Sequence, residues 1–264
     1  MDKRQYFLIP YIKHWVRSRS KFDLHSPFVH KIYKDILRDR TTRAQYQIIE
    51  SVRKKLLDDK RIILKTDLSP CDPGSAGIKK RLTISRIARD SSISPRYGQL
   101  LFRLVNHFRP RIILELGTSF GISTLYMAYG APEAEIITIE GCPETLNIAR
   151  KNFGESGVRK IRLVQGAFDE ELPVILKNIP PPDLIFIDGN HRKEATLCYF
   201  KQCIQHRSRD SVFVFHDIYW SKGMEQSWKE IKSNPSVSVT LDLFQLGLVF
   251  FDDRLSKEDF IVRF

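Results

Sequence analysis

A chain of 264 residues, 42% hydrophobic and 28% charged, is long enough to bury a substantial core and too apolar to be disordered throughout. Its four cysteines, Cys71, Cys142, Cys198 and Cys203, form no Cys-x-x-Cys pair and no regular spacing, which sets aside a zinc cage or disulfide framework and favours a reducing, cytoplasmic setting. The net charge of +12 is lopsided, with 25 basic and 10 acidic residues in positions 1–110 against 18 and 21 in the remainder; the basic half is either a solvated helical surface or the face for an anionic partner such as RNA, a membrane surface or an acidic substrate.

Residues 5–62 read as helices. Within the basic segment 3–19, Phe7, Leu8, Ile9, Tyr11, Ile12 and Trp15 alternate with charges. The apolar run is short, is broken by Pro10 and has no small-residue cleavage site, so it makes a poor signal peptide; the segment either packs on the domain or a second copy of the chain, or lies on a membrane surface. Ser26 and Pro27 form an N-cap and first-turn pair, and Phe28, Ile32, Ile36 and Leu37 follow at helical spacing. The stretch 66–80, TDLSPCDPGSAGIKK, reads as a loop or mobile lid from its prolines, glycines and small polar residues. Helical periodicity returns from Ile84 to Phe108, with Leu100, Leu101, Leu104 and Val105 on one face, and breaks at Pro110. No stretch of about 18 uncharged apolar residues occurs, so no transmembrane helix is expected.

Beyond Pro110 short apolar runs alternate with helical segments, the pattern of an α/β fold with a parallel sheet. The predicted strands are 112–116, 135–139, 161–165, 184–187 and 212–215, and runs at 237–243 and 248–251 are close enough to pair as a terminal hairpin around Gln245 and Gly247. The division expected is a helical extension or cap at 1–94 and a cofactor-binding domain at 95–264.

The strongest local pattern is IILELGTSFG at 112–121, an apolar strand that ends in Glu115 and enters a Gly-x-x-x-Gly turn at Gly117 and Gly121. Ligands of open α/β sheets sit beyond the carboxyl ends of the strands, where glycine lets backbone approach them. The dinucleotide and P-loop glycine patterns are both absent. Glu140, at the end of the second strand, is placed to accept hydrogen bonds from two ribose hydroxyls. Gly166, Ala167 and Phe168 follow the third strand, small residues and an aromatic suited to an adenine. The fourth strand ends in Asp188, Gly189, Asn190 and His191 and the fifth in His216 and Asp217, so that two carboxylates and two histidines are expected on one rim of the sheet.

With these residues the segment from roughly Leu100 to Phe251 resembles the class I S-adenosylmethionine-dependent methyltransferases, nearest to small-molecule O-methyltransferases of the catechol and caffeoyl-CoA type. The resemblance rests on ELGTSFGISTLYMA at 115–128, Glu140, GAFDEELP at 166–173, LIFIDGNH at 184–191 and VFVFHDIY at 212–219. It implies a Rossmann-like α/β fold with a seven-stranded, mostly parallel sheet of order 3-2-1-4-5-7-6, strand seven antiparallel. It also implies that Glu115, Gly117, Thr118, Ser119 and Gly121 serve the methionine part of the cofactor, Glu140 the ribose, Gly166, Ala167 and Phe168 the adenine, with Asp188 at the cofactor rim.

In the metal-dependent members, acidic residues matching Asp188 and Asp217 bind a divalent cation together with an Asn that matches Ile218. Ile218 cannot be a ligand, so an oxygen-only site for magnesium or calcium would need His191, His216, Asn190 or water to fill the gap, and hard cations favour oxygen over imidazole. The reading is therefore no metal ligand set, with magnesium the less favoured case. Methyl transfer then needs alignment and a base, for which Asp188, His191, His216 and Asp217 are the candidate catalytic residues. The expected reaction is O-methylation of a small-molecule acceptor. The alternatives are a nucleic-acid methyltransferase using the basic half, or a Rossmann-like binding protein without catalysis. A homo-oligomer is compatible with any of them.

Overall fold

Runs such as Leu184–Ile187, four residues that are all buried, form strands because β-branched and aromatic side chains satisfy a pleated ribbon covered on both faces. Helices begin where a cap is available: Ser26 accepts from the Val29 amide, Thr83 from that of Arg86 and Ser221 from that of Met224, each satisfying a donor the helix cannot. The structure is a computed structural model that describes residues 3–18, 25–68 and 77–264. Its elements in chain order are α1 (Lys3–Arg17), α2 (Pro27–Ile32) continued by a π turn (Tyr33–Leu37), α3 (Ala44–Asp58), β1 (Ile62–Asp67), β2 (Ile78–Thr83), α4 (Ile84–Ser91) and α5 (Pro95–Phe108). They continue as β3 (Ile112–Leu116), α6 (Ile122–Gly130), β4 (Glu135–Glu140), α7 (Pro143–Ser156), β5 (Ile161–Gln165), α8 (Phe168–Asn178), β6 (Leu184–Ile187) and α9 (Lys193–Gln205). The last are β7 (Val212–His216), α10 (Lys222–Ser233), β8 (Val239–Asp242), β9 (Leu246–Phe250) and β10 (Glu258–Ile261).

The chain divides into a continuous unit, Arg40–Lys177, and a discontinuous unit made of Met1–Asp39 and Asn178–Phe264. In the continuous unit β3, β4 and β5 run parallel in that order. In the discontinuous unit β6 pairs parallel with β7, β7 antiparallel with β9 and β9 antiparallel with β8. Counted as the sequence analysis counts strands, these are the runs 1-2-3 and 4-5-7-6, with the seventh antiparallel.

Two differences stand out. An eighth strand, β10, adds to β8 in parallel; it is short, and its trace in the sequence is the alternation that buries Phe260 and Val262 completely. Second, β1 and β2 form an antiparallel ribbon from Ile62↔Thr83 to Asp67↔Ile78, where helix was expected up to 62 and loop from 66 to 80. Long-range pairing overrides the turn-like composition at both ends of that stretch; positions 69–76, including Cys71, lie outside the described residues.

In the continuous unit α5 and α6 approach closely through glycine. A Cβ at Gly98 would lie 2.2 Å from the Tyr126 ring, and that ring is buried with its hydroxyl donating to Glu50 at 2.7 Å. Alanine gains about 1 kcal/mol of helix propensity over glycine, but the tethered ring cannot move aside. Gly98→Ala is expected to cost about 1–3 kcal/mol net, read as a lower urea midpoint with an unchanged m-value.

Candidate active site

The turn after β3 is shaped by left-handed backbone: Gly117 has φ of 106°, Ser119 of 48° and Gly121 of 83°. At Gly121 a Cβ would also fall 2.3 Å from the Phe153 ring, so only glycine both adopts this backbone and clears that ring. The Gly117 and Thr118 amides donate to the Ile139 carbonyl at 3.0 and 3.2 Å, which binds the turn to the end of β4. Beneath it Glu115 has no solvent exposure. Its oxygens accept from Ser123 at 2.6 Å, Thr124 at 2.5 Å and Thr138 at 2.7 Å, and Thr138 meets Thr118 at 2.6 Å.

Glu140 closes the strand beside this turn. One carboxylate oxygen accepts from the Ser119 amide at 2.8 Å and the other from the Cys142 amide at 2.8 Å. The carboxylate is thus fixed by one backbone donor per oxygen, and each oxygen keeps a further acceptor position. The Glu140 carbonyl accepts from the Gly166 amide at 3.2 Å. A Cβ at Gly166 would strike the Glu171 side chain at 2.5 Å, while Ala167 and Phe168 are half-buried at the start of α8. The hydroxyl of Ser119 is buried without a hydrogen-bond partner among the described residues. An unanswered buried hydroxyl costs about 1–3 kcal/mol, and a polar ligand group would answer it. Gly117, Thr118, Ser119, Gly121, Glu140, Gly166, Ala167 and Phe168 therefore come together in one unit, with a fixed carboxylate and a spare hydroxyl.

One member was not legible from local pattern. Cys142 is fully buried; its sulfur accepts from the Thr66 amide at 3.3 Å and contacts the Leu64 carbonyl at 3.7 Å, and a Cβ on Gly141 would meet Leu68 at 2.9 Å. The ribbon strand β1 is thereby stitched to the loop that follows Glu140.

The second cluster lies in the discontinuous unit, where β6 and β7 end. Asp217 has φ of 56° and Asn190 of 49°, left-handed conformations that Asn and Asp tolerate better than most residues. His216 Nδ1 is 2.8 Å from Asp188 and 3.6 Å from Asp217; its N–H is not aligned on either oxygen, so the contacts are ion pairs. His191 Nε2 is more distant, 3.8 Å from Asp188 and 4.0 Å from Asp217, and its ring lies 6.0 Å from that of Trp220. Burial disfavours charge on His216, but the Asp188 carboxylate, aided by Asp217, outweighs it and pushes the imidazole up to about 9. Burial likewise acts to raise Asp188, yet His216 holds it below the ordinary carboxylate range. At Asp217 burial prevails over the two histidines and the pKa is raised.

Asp188 and Asp217 face His216 and His191, Asn190 accepts from Arg192, and Ile218 is a buried hydrocarbon, a donor set with two imidazoles that suits an oxygen-ligated cation poorly. No described helix is long and apolar enough to cross a membrane.

Residues 114–218 match the family model of the methyltransferase domain. The chain is 31% identical over 135 residues to a catechol O-methyltransferase of Mycobacterium tuberculosis, a match covering 50% of this chain and 60% of that one. It is 34% identical over 129 residues to a catechol O-methyltransferase of Niastella koreensis, covering 48% and 57%. The match thus spans about three-fifths of each relative's length. An O-methyltransferase of Bacillus cereus, solved in complex with SAH, superposes with a TM-score of 0.55 at 19% identity over 84% of this chain and 97% of its own. The matched segment is similar to methyltransferase domains, and the fold around it is Rossmann-like. The relatives that this segment matches are O-methyltransferases.

Because His216 is raised from its ordinary value near 6.5 to about 9, its ion pair stabilises the fold fully below the unfolded-state value and is lost as pH rises through the folded one. The melting temperature of the wild type is expected to fall between pH 7 and 10, and His216→Gln to flatten that decline; thermal melts across this range check it.

Proposed function

We propose that this protein transfers a methyl group from S-adenosylmethionine to an oxygen of a small-molecule acceptor. The observation that carries the reading is the Glu140 carboxylate, fixed by the Ser119 and Cys142 amides beside a left-handed glycine turn. Gly117, Thr118, Ser119 and Gly121 would hold the methionine part, Glu140 the ribose hydroxyls, and Gly166, Ala167 and Phe168 the adenine. Glu115, with both oxygens taken by hydroxyls, acts as a positioning residue for that turn. When bound, the cofactor would supply an electrophilic methyl on a sulfonium, which an acceptor oxygen takes in one step as the carbon–sulfur bond breaks and neutral S-adenosylhomocysteine leaves.

The chain's own contribution to the acceptor chemistry is assigned to the second cluster. His216, protonated between the two carboxylates, is a poor base and serves as a fixed positive charge. His191 is the more exposed ring, with 28% of its side chain accessible, and no carboxylate lies within 3.5 Å of it; it is the group free to take the acceptor's proton. Asp188 and Asp217 position both rings. The reaction so drawn is metal-free.

Calorimetric titration with S-adenosylhomocysteine, with chelator present throughout, is expected to give micromolar binding and a loss of at least about tenfold, some 1.4 kcal/mol, in Glu140→Ala. Absence of binding by folded wild-type protein, checked by circular dichroism, would overturn the reading. His191→Gln is expected to lower kcat by about 10²–10⁴ while leaving the S-adenosylhomocysteine affinity within twofold, measured with a catechol acceptor as the first probe. An equal loss in affinity and rate would remove His191 as the base.

A further inference from the structure

Helix α1, KRQYFLIPYIKHWVR, contains no acidic residue and is fastened by a single narrow face. His14 is buried, with Nε2 3.1 Å from both the carbonyl and a carboxylate oxygen of Asp242. Asp242, itself buried, also accepts from Tyr219 at 2.6 Å, Trp228 at 3.1 Å and the Phe244 amide at 3.0 Å. Pro10 is turned inward with His14, and Tyr11 touches the Phe244 ring edge-on at 5.1 Å.

Between Leu8 and Val16 the other face is apolar. Leu8, Ile9, Tyr11, Ile12, Trp15 and Val16 are between 48% and 71% exposed. At about 100° per residue they cover an arc of roughly 160°, with Lys13 at one border and Pro10, His14 and Arg17 on the opposite side. Lys13 and Arg17 are exposed. A third cation, Arg263 from the end of the chain, lies over the Trp15 ring at 4.4 Å and donates to the Trp15 carbonyl at 3.1 Å. A continuous apolar arc bordered by cations is larger than a solvated surface normally leaves bare.

We propose that α1 seats this protein on an anionic lipid bilayer, with the apolar arc in the acyl boundary and Lys13 and Arg263 among the headgroups. The charge pattern selects the occupant. A second copy docked about a two-fold axis would set these cations against their own images with no carboxylate on the helix to answer them. A nucleic acid would answer the cations and leave six apolar side chains in water. An anionic bilayer answers both. The inference is independent of the methyl-transfer reading.

The test is co-sedimentation of the full chain with vesicles of phosphatidylcholine alone and of phosphatidylcholine mixed equally with phosphatidylglycerol. Binding is expected to the mixed vesicles only, weakened by salt. The triple variant Leu8→Glu, Ile12→Glu, Val16→Glu alters only exposed positions and is expected to lose at least about tenfold in partitioning, because charge is expelled from the acyl boundary; the pair Lys13→Glu, Arg263→Glu is expected to lose the anionic preference. Equal partitioning of wild type and triple variant, or no partitioning at all, would overturn the proposal. So would a wild-type dimer, seen by light scattering, that the triple variant abolishes, since the arc would then be covered by a second copy.

Discussion

A carboxylate with no access to water sits at the end of β3, and the arrangement of the continuous unit around it follows from the need to satisfy it. Leaving an ionised Glu115 buried and unpaired would cost several kcal/mol or more, so hydroxyls must converge on it from wherever the chain can supply them. Two come from the first turn of α6, Ser123 and Thr124, and one from the middle of β4, Thr138. Once these are in place, the start of α6 and the neighbouring strand are at fixed distances from β3, and the five residues between Gly117 and Gly121 must span what remains. The left-handed angles there are the geometric result. Ser119, carried by that turn, places its amide on Glu140, so a buried structural carboxylate fixes the position of an accessible one.

The discontinuous unit solves a similar problem by ion pairing. Three ionisable side chains with little exposure, Asp188, His216 and Asp217, divide their charges so that one imidazolium and one carboxylate are stabilised and the second carboxylate is left raised.

Much of this was legible in the chain. Most strands of the two runs were readable because they are buried on both faces and flanked by polar turns, β5 with its half-buried pattern being the exception, and the glycine turn with Glu140 could be placed from strand ends alone. The strand order was not contained in periodicity and came through resemblance. The β1–β2 ribbon escaped because TDLSPCDPGSAG has the composition of a loop, and the cross-strand pairing that makes Ile62–Asp67 extended is a long-range contact. β10 escaped because four residues give too short a period to weigh. Which histidine is buried between carboxylates could not be read from His191 and His216 as letters, since their difference is one of distance: 2.8 Å against 3.8 Å to the same aspartate. Cys142 gave no signal, its partners lying more than seventy positions away.

The left-handed backbone at Asp217 carries an evolutionary consequence. A non-glycine residue in that region costs roughly 1–2 kcal/mol, and the side chain held there is a buried acid whose charge the surroundings disfavour. Glycine would relieve both burdens, so selection for durability alone would erase the acid from this position. Variants recovered by screening only for heat resistance should therefore accumulate at 217.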